Sequence, residues 1–450
     1  MSIEIVPFVD SGLGNSSYLV GLPDRRAMVI DPLRSHSRYL RESERRGWNV
    51  IAAVESHLHA DFISGGRELQ AGGSTLYAPA GSRLAFDHHA MEPGAEVDLG
   101  GLTLAALPTP GHTPEHLSYL LSDGGQPLAL FSGGSLLVGS VARTDLISPE
   151  QTEDLTRSMY RSLRAVLAPL PDELAVYPTH GAGSFCTVGV TTERVTTLGA
   201  ERAHNPYLQI DDEDEFVKLL LGGLGSYPTY YRHLRERNRQ GPRVYGETPP
   251  ALKELTVEDF DRIRGEGAAV VDVRSVAAWA SGHVPSSLSI RFRDSFASWL
   301  GWLVDIDAPL IFVTEPDQDR AALAARCLDI GYENLAGELA GGIEAWSAAG
   351  RPVSSTPTAS IGEHDGGHLV DVRQASEWRA GHIPGVVHAE LGSLQAASLP
   401  HGPVAIHCGQ GERAATAASL LEQAGRSNVT ILSGGPDDWV KTTNGLLEVG

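Results

Sequence analysis

A repeat near the end of this 450-residue chain limits its fold more than any other feature. VVDVRSVAAWASGHVP (270–285) matches LVDVRQASEWRAGHIP (369–384) at an offset of 99, and GGIEAW (341–346) matches GGPDDW (434–439) at an offset of 93. Two copies are too few for a solenoid, so they read as tandem domains. Each copy runs strand, Asp-Val-Arg turn, short helix, Gly-His-(Val/Ile)-Pro, strand, long helix, Gly-Gly turn, helix. That alternation implies an α/β domain whose parallel sheet carries helices on both faces. At about 150 residues per domain the length suits three domains. The expected boundaries are 1–245, 246–356 and 357–450, with the last break near Ser354 to Thr358.

Lys plus Arg number 35 against 56 Asp plus Glu, a formal net charge of −21. This argues against nucleic acid or an anionic membrane surface as partner, since both need a basic face. No uncharged apolar run approaches the ~18 residues of a membrane span. The opening MSIEIVPFVDSG lacks a basic segment followed by a long apolar one, so no signal peptide is expected. Three cysteines, Cys186, Cys327 and Cys408, cannot form a disulfide framework in such a chain. A reducing, cytoplasmic setting is expected, and the composition leaves room for a homo-oligomer.

In the first 180 residues, apolar runs predict strands at 17–22, 27–31, 50–55, 102–107 and 128–131. Apolar spacing predicts helices at 35–46 and 149–167. His57 and His59 follow the strand VIAAVES, with Asp61 two residues further on. His112 stands in PTPGHTPEH and His180 in YPTHGAGS, both again beyond strands. Three or four imidazoles converging from strand ends form a typical site for a borderline divalent metal. Residues 181–245 give no clear signal: the acidic run Asp211 to Glu215 reads as a solvated helix N-terminus, and the Tyr-rich basic stretch YYRHLRERNRQGPR has no assigned role.

With Asn15 to Val20 and VIDP (29–32), these motifs resemble the metallo-β-lactamase fold family over about residues 1–240. The resemblance implies an αβ/βα sandwich with a metal site at one edge. It assigns one metal to His57, His59 and His112, and makes Asp61 and His180 further candidate ligands. Two positions depart from the family. Phe62 stands where the two-metal pattern has His, and Gly134, in LFSGGSLLVGSVARTDL, stands where persulfide dioxygenases carry a ligand Asp. Those dioxygenases hold one iron in a 2-His-1-carboxylate triad, of which His57 and His112 remain here. One Fe(2+) per chain is the expected cofactor, with Zn(2+) as the alternative.

In the last domain VAIHCGQGERAATAASLLEQAG (404–425) places Cys408 between a strand and a helix. Gly409, Gln410, Gly411 and Glu412 form the loop, and its amides, the helix start and Arg413 all favour an anion on sulfur. The unit resembles a rhodanese domain over most of 357–450, which implies that Cys408 carries sulfane sulfur as a persulfide, cradled by Arg413 and the loop amides. The first copy has Thr314 at the matching position, in TEPDQDR, with carboxylates at Glu315, Asp317 and Asp319. It is expected to be a noncatalytic rhodanese. His283 and His382 are expected to be turn residues, and Cys186 and Cys327 buried thiols.

The domain order resembles bacterial fusions of a persulfide dioxygenase with rhodanese units. The activity this implies is oxidation of a low-molecular-weight or protein persulfide by O2 to sulfite, with sulfur transfer through Cys408, in sulfide detoxification. Three alternatives stay open: a sulfurtransferase with a degenerate metal domain, a zinc-dependent thioester hydrolase, and a noncatalytic scaffold.

Overall fold

The computed structural model describes residues 3–167, 169–188, 192–364 and 367–450. The chain divides into two compact units, Met1–Pro250 with Ala325–Gly331, and Ala251–Ala324 with Tyr332–Gly450. No helix among the described residues is long and apolar enough to cross a membrane.

The first unit is built on two six-stranded sheets. One runs Ile5–Asp10, Asn15–Leu22, Arg26–Ile30, Asn49–Val54, Thr75–Pro79, His89–Met91, antiparallel in its first two pairings and parallel after that. The other runs Thr196–Thr197, Ala175–Pro178, Gln126–Gly133, Leu117–Asp123, Leu102–Pro108, Glu96–Asp98. Side chains alternate across a strand, so Leu102, Leu104 and Ala106 point inward. There they join Tyr18, Met28, Ile30, Val54, Tyr119 and Phe131 in the core. Outside the first sheet, Tyr39 and Leu69, from helices Ser37–Arg46 and Gly66–Ala71, pack on Leu19, Val29 and Ala53. Met159 and Leu163 of helix Pro149–Leu167, with Phe216 and Leu220 of Glu213–Gly222, cover Leu130 and Val176 of the other sheet. The result is the expected αβ/βα sandwich. The acidic run opens helix Glu213–Gly222, where Asp212 caps the amides of Asp214 and Glu215.

The second unit holds two five-stranded sheets of the same order, all parallel. Asp272 pairs with Ser289 and Val313, and Asp371 pairs with His388 and His407. The register therefore runs at offsets of 99 and 94, and sets Thr314 at the place of Cys408 in the repeat. The Asp-Val-Arg motif is a buried fork in each copy. Asp371 accepts from Arg373 Nε and Nη2 at 2.9 and 2.7 Å while Nη2 also donates to Gly381 O at 2.8 Å, and Asp272, Arg274 and Gly282 repeat the arrangement. Trp279 and Ala280 of the first copy belong to the core of the second, packed with Val370, Ile406 and Ala414.

Candidate metal centre and sulfur loop

The loops beyond strands Asn49–Val54, Leu102–Pro108 and Ala175–Pro178 bring His57, His112 and His180 together, with one ligand atom of each within 4.8 Å of the others. His57 Nε2 and His180 Nε2 lie 3.4 Å apart. His112 Nδ1 donates to Arg143 O at 2.7 Å and His57 Nδ1 meets Ser56 Oγ at 2.8 Å, which leaves each Nε2 as the lone-pair atom. Burial and the neighbouring imidazoles hold His57 and His112 well below the usual histidine range, in the neutral form that binds metal.

A second group, His59, Asp61 and His180, shares His180 with the first. All five candidate ligands therefore stand at one place, but His180 and not His59 completes the group around His57 and His112. The two nitrogens of His59 differ: Nε2 faces Asp31 Oδ1 at 3.3 Å and Glu55 Oε2 at 3.2 Å, while the buried Nδ1 makes no hydrogen bond. Burial opposes its protonation, yet the two carboxylates push it up to about 10. Asp31 ends its strand at φ 46°, an unusual conformation for a residue with a side chain. It accepts from Ser56 N and Oγ, each at 2.7 Å, and from Thr179, so it ties together the loops bearing His57 and His180.

Position 62 matters through its shape: the Phe62 ring stacks on His59 at 4.2 Å, filling the place of a second-metal histidine. Gly134 N–H donates to His116 Nε2 at 2.8 Å, and His116 Nδ1 meets Thr109 Oγ1 at 2.9 Å. With both nitrogens engaged, buried His116 stacks on His57 as a support. Its spacing alone, four residues past His112, did not separate support from ligand.

The Tyr-rich basic stretch proves to be the roof of this site. Tyr230 OH donates to Asp61 O at 2.8 Å, and from helix Tyr231–Gln240 Asn238 Nδ2 donates to His59 O and Phe62 O, both at 2.9 Å. Arg235 makes a two-point pair with Glu115, which also accepts from Leu58 N at 3.1 Å. The signal was present as the spacing of Tyr230, Leu234 and Asn238, one buried stripe.

Cys408 follows strand Val404–His407 and is buried. Gly411, at φ 90°, turns its N–H onto Sγ at 3.2 Å, and helix Glu412–Gln423 starts at the next residue. Such a turn favours glycine, because a Cβ at positive φ meets the backbone. Arg413 pairs with Glu377 at 2.5 and 2.8 Å while lying beside the loop, with Nη2 3.9 Å from where a Cβ on Gly409 would stand. Glu412 turns outward to Arg291 and Arg293, at 2.9 and 2.5 Å.

A model of the metallo-beta-lactamase superfamily matches residues 10–180, and one of the rhodanese-like domain matches 256–349 and again 359–442. The mitochondrial persulfide dioxygenase of Homo sapiens is 30% identical over 209 residues, 45% of this chain and 75% of the human protein. The chain belongs to the metallo-β-lactamase superfamily, fused to two rhodanese-like domains. A hydroxyacylglutathione hydrolase of Polaromonas sp. is 32% identical over 232 residues, 46% of this chain and 85% of that one. The crystal structure of a metallo-beta-lactamase from Staphylococcus aureus aligns with a TM-score of 0.66 at 27% identity, covering 75% of this chain and 99% of that one.

The metallo-β-lactamase domain fits a resident cation. Both carboxylate oxygens of Asp61 are buried and accept no hydrogen bond, and His180 Nδ1, at 3.2 Å, is their ion-pair neighbour. A buried carboxylate whose oxygens accept no hydrogen bond is costly, and a bound cation would relieve that cost. These residues form a metal-binding His/Asp site.

The two rhodanese loops have opposite polarity. Around Cys408 an amide points at sulfur, whereas in the first copy Arg320 donates to the carbonyls of Glu315, Pro316 and Gln318 and to Thr314 Oγ1. That loop is filled by its own guanidinium and has no nucleophile. Cys186 and Cys327 are buried thiols, both raised by desolvation.

Proposed function

We propose that this chain processes persulfides: His57, His112 and His180 hold one ferrous ion, and Cys408 carries sulfane sulfur. The observation that carries the reading is the three-histidine cluster beside Asp61, whose buried carboxylate accepts no hydrogen bond, in the same chain as a Cys loop with an amide aimed at Sγ. The overall oxidation balances as R–S–SH + O2 + H2O → R–SH + SO3(2−) + 2H+. Bound iron would supply adjacent open positions for O2 and the outer sulfur.

The chain's own residues set the conditions for that chemistry. The Ser56 and Arg143 contacts keep the Nε2 lone pairs of His57 and His112 turned inward. Asp61 adds negative charge that offsets the cation, and Phe62 closes the second-metal position. At the other centre, the Gly411 amide donates to the sulfur of Cys408, where a persulfide would be held. The expected location is the cytoplasm.

A zinc-dependent thioester hydrolase is the second reading, favoured by the likeness to hydroxyacylglutathione hydrolases. Protein made in iron-supplemented medium should contain near-stoichiometric iron and consume O2 with glutathione persulfide, and His57→Ala should lose both. Zinc with O2-independent thioester hydrolysis would replace the dioxygenase reading with the hydrolase. A wild type with no metal would leave a sulfurtransferase working through Cys408.

A further inference from the structure

The repeat allows an internal comparison that isolates two residues. The strand ends Leu288–Ser289 and Val387–His388 correspond, and the register continues beyond them. Ile290 N and Ala389 N bond the carbonyls of Asp272 and Asp371, and Phe292 N and Leu391 N bond those of Val273 and Val372. On this alignment Arg291 and Arg293 correspond to Glu390 and Gly392. The fold itself therefore does not need arginine at either place.

What the two arginines touch belongs to the other copy. Arg291 Nη1 meets Glu412 Oε1 at 2.9 Å and Arg293 Nη2 meets Oε2 at 2.5 Å, and Glu412 directly follows the Gly411 amide that donates to Cys408 Sγ. The side chains of Arg291 and Arg293 are 50% and 44% exposed, so they stand at the mouth of the loop within reach of solvent. Neighbouring contacts hold this edge in place: Thr416 Oγ1 donates to Ser289 O at 2.6 Å, and Ser289 N donates to Ser419 Oγ at 3.1 Å.

Counting charge around the loop shows where its surplus lies. Arg413 is neutralised by Glu377. Arg373 is neutralised by Asp371. Glu412 is one carboxylate between two guanidiniums, so this three-residue group carries one positive charge. On a chain of net charge −21 the overall field disfavours a small anion, so a local positive group can direct its approach.

We propose that Arg291 and Arg293 of the copy without a loop cysteine select an anionic sulfur acceptor of the sulfite class for Cys408. This rests on the reading of Cys408 as a persulfide carrier. In the step they serve, the sulfur lone pair of sulfite attacks the outer sulfur of the Cys408 persulfide. A new S–S bond forms, the Sγ–S bond breaks, and its electron pair stays on Sγ as the thiolate. Thiosulfate leaves, and no further oxidant or reductant is needed. The noncatalytic copy thus supplies acceptor specificity.

The test loads the full-length protein with persulfide and compares transfer to sulfite, an anion, with transfer to dithiothreitol, a neutral thiol. The double variant R291Q/R293Q should lower the sulfite-to-dithiothreitol ratio of kcat/KM by about tenfold, the loss of one charge-assisted contact. The double variant R291K/R293K should keep the ratio within about twofold of wild type, since charge is retained. E412Q should raise the ratio by freeing both guanidiniums, and added salt should raise the sulfite KM of wild type more than that of R291Q/R293Q. An unchanged ratio in R291Q/R293Q, or equal losses with both acceptors, overturns the proposal while leaving the carrier reading intact. A wild type that transfers sulfur to neither acceptor overturns the carrier reading, and the proposal falls with it.

Discussion

The imidazole of His112 occupies the space that a side chain on residue 134 would need: a Cβ on Gly134 would stand 2.4 Å from His112 Cδ2 and 3.2 Å from Nε2. The site has therefore repacked around glycine, with the His112 ring fixed from behind by the Arg143 carbonyl. Gly134→Asp is expected to displace His112 and lower metal content. The overpacking should also cost about 1–3 kcal/mol of stability. Elemental analysis with a denaturation curve checks both, and a variant holding more iron than wild type would refute the repacking argument.

His180 completes the group around His57 and His112. His180→Ala should therefore weaken metal binding as much as His57→Ala does. Asn15→Ala, which removes the oxygen 3.1 Å from His180 Nδ1, should fall within the roughly 10–100-fold loss of an outer partner. Competition against a chelator of known affinity measures all three. Wild-type affinity in His180→Ala alongside loss in His57→Ala would return His59 to the third position.

Much of this arrangement was legible because its causes are local. The helix at 149–167 and the strands at 17–22 and 102–107 follow from apolar spacing within single segments, and the observed elements differ from them by a residue or two at most. The histidines were legible for the same reason, since each stands just beyond an apolar strand. The choice between His59 and His180 was not, because it depends on Asp31, 28 residues before His59 in the chain. The roof residues Tyr230 and Asn238 act from more than 160 residues away, through backbone carbonyls that leave no trace in composition. The sequence places Glu412 in the loop beside Arg413, and only the packing of the two copies reveals Arg291 and Arg293 as its partners.

Asn238 carries a load that its position on a polar helix conceals. Besides donating to His59 O and Phe62 O, it accepts from Ser64 N at 2.9 Å. Asn238→Ala leaves two buried carbonyls and the half-buried Ser64 N–H unpaired, at about 1–3 kcal/mol for each such group not reached by water. Thermal unfolding of the first unit should move down by several degrees, and metal content should fall because the loop from His57 to Asp61 loosens. Lower stability with unchanged metal affinity would mean that the roof supports the fold without ordering the ligands.

His283 was read as a turn residue, yet it is a buried link between the two rhodanese-like copies. Its ring stacks on Trp279 at 3.8 Å, Nδ1 meets Trp279 O at 2.8 Å, and Nε2 meets Glu422 Oε2 at 2.7 Å. Burial opposes ionisation of Glu422, but the hydrogen bond and charge of His283 outweigh it and hold the carboxyl below the usual range. A carboxylate lowered on folding adds stability above its unfolded value, about 4.3, and loses it as pH falls through the folded value. Glu422→Gln should therefore unfold a few degrees below wild type at pH 7, with roughly 2–4 °C expected per kcal/mol lost. The gap should narrow as pH is lowered from about 4.3, because wild type then loses the same interaction. Calorimetry between neutral pH and pH 3 reads this directly, and a gap that stays constant or widens in acid would show that Glu422 acts through packing and not through its charge.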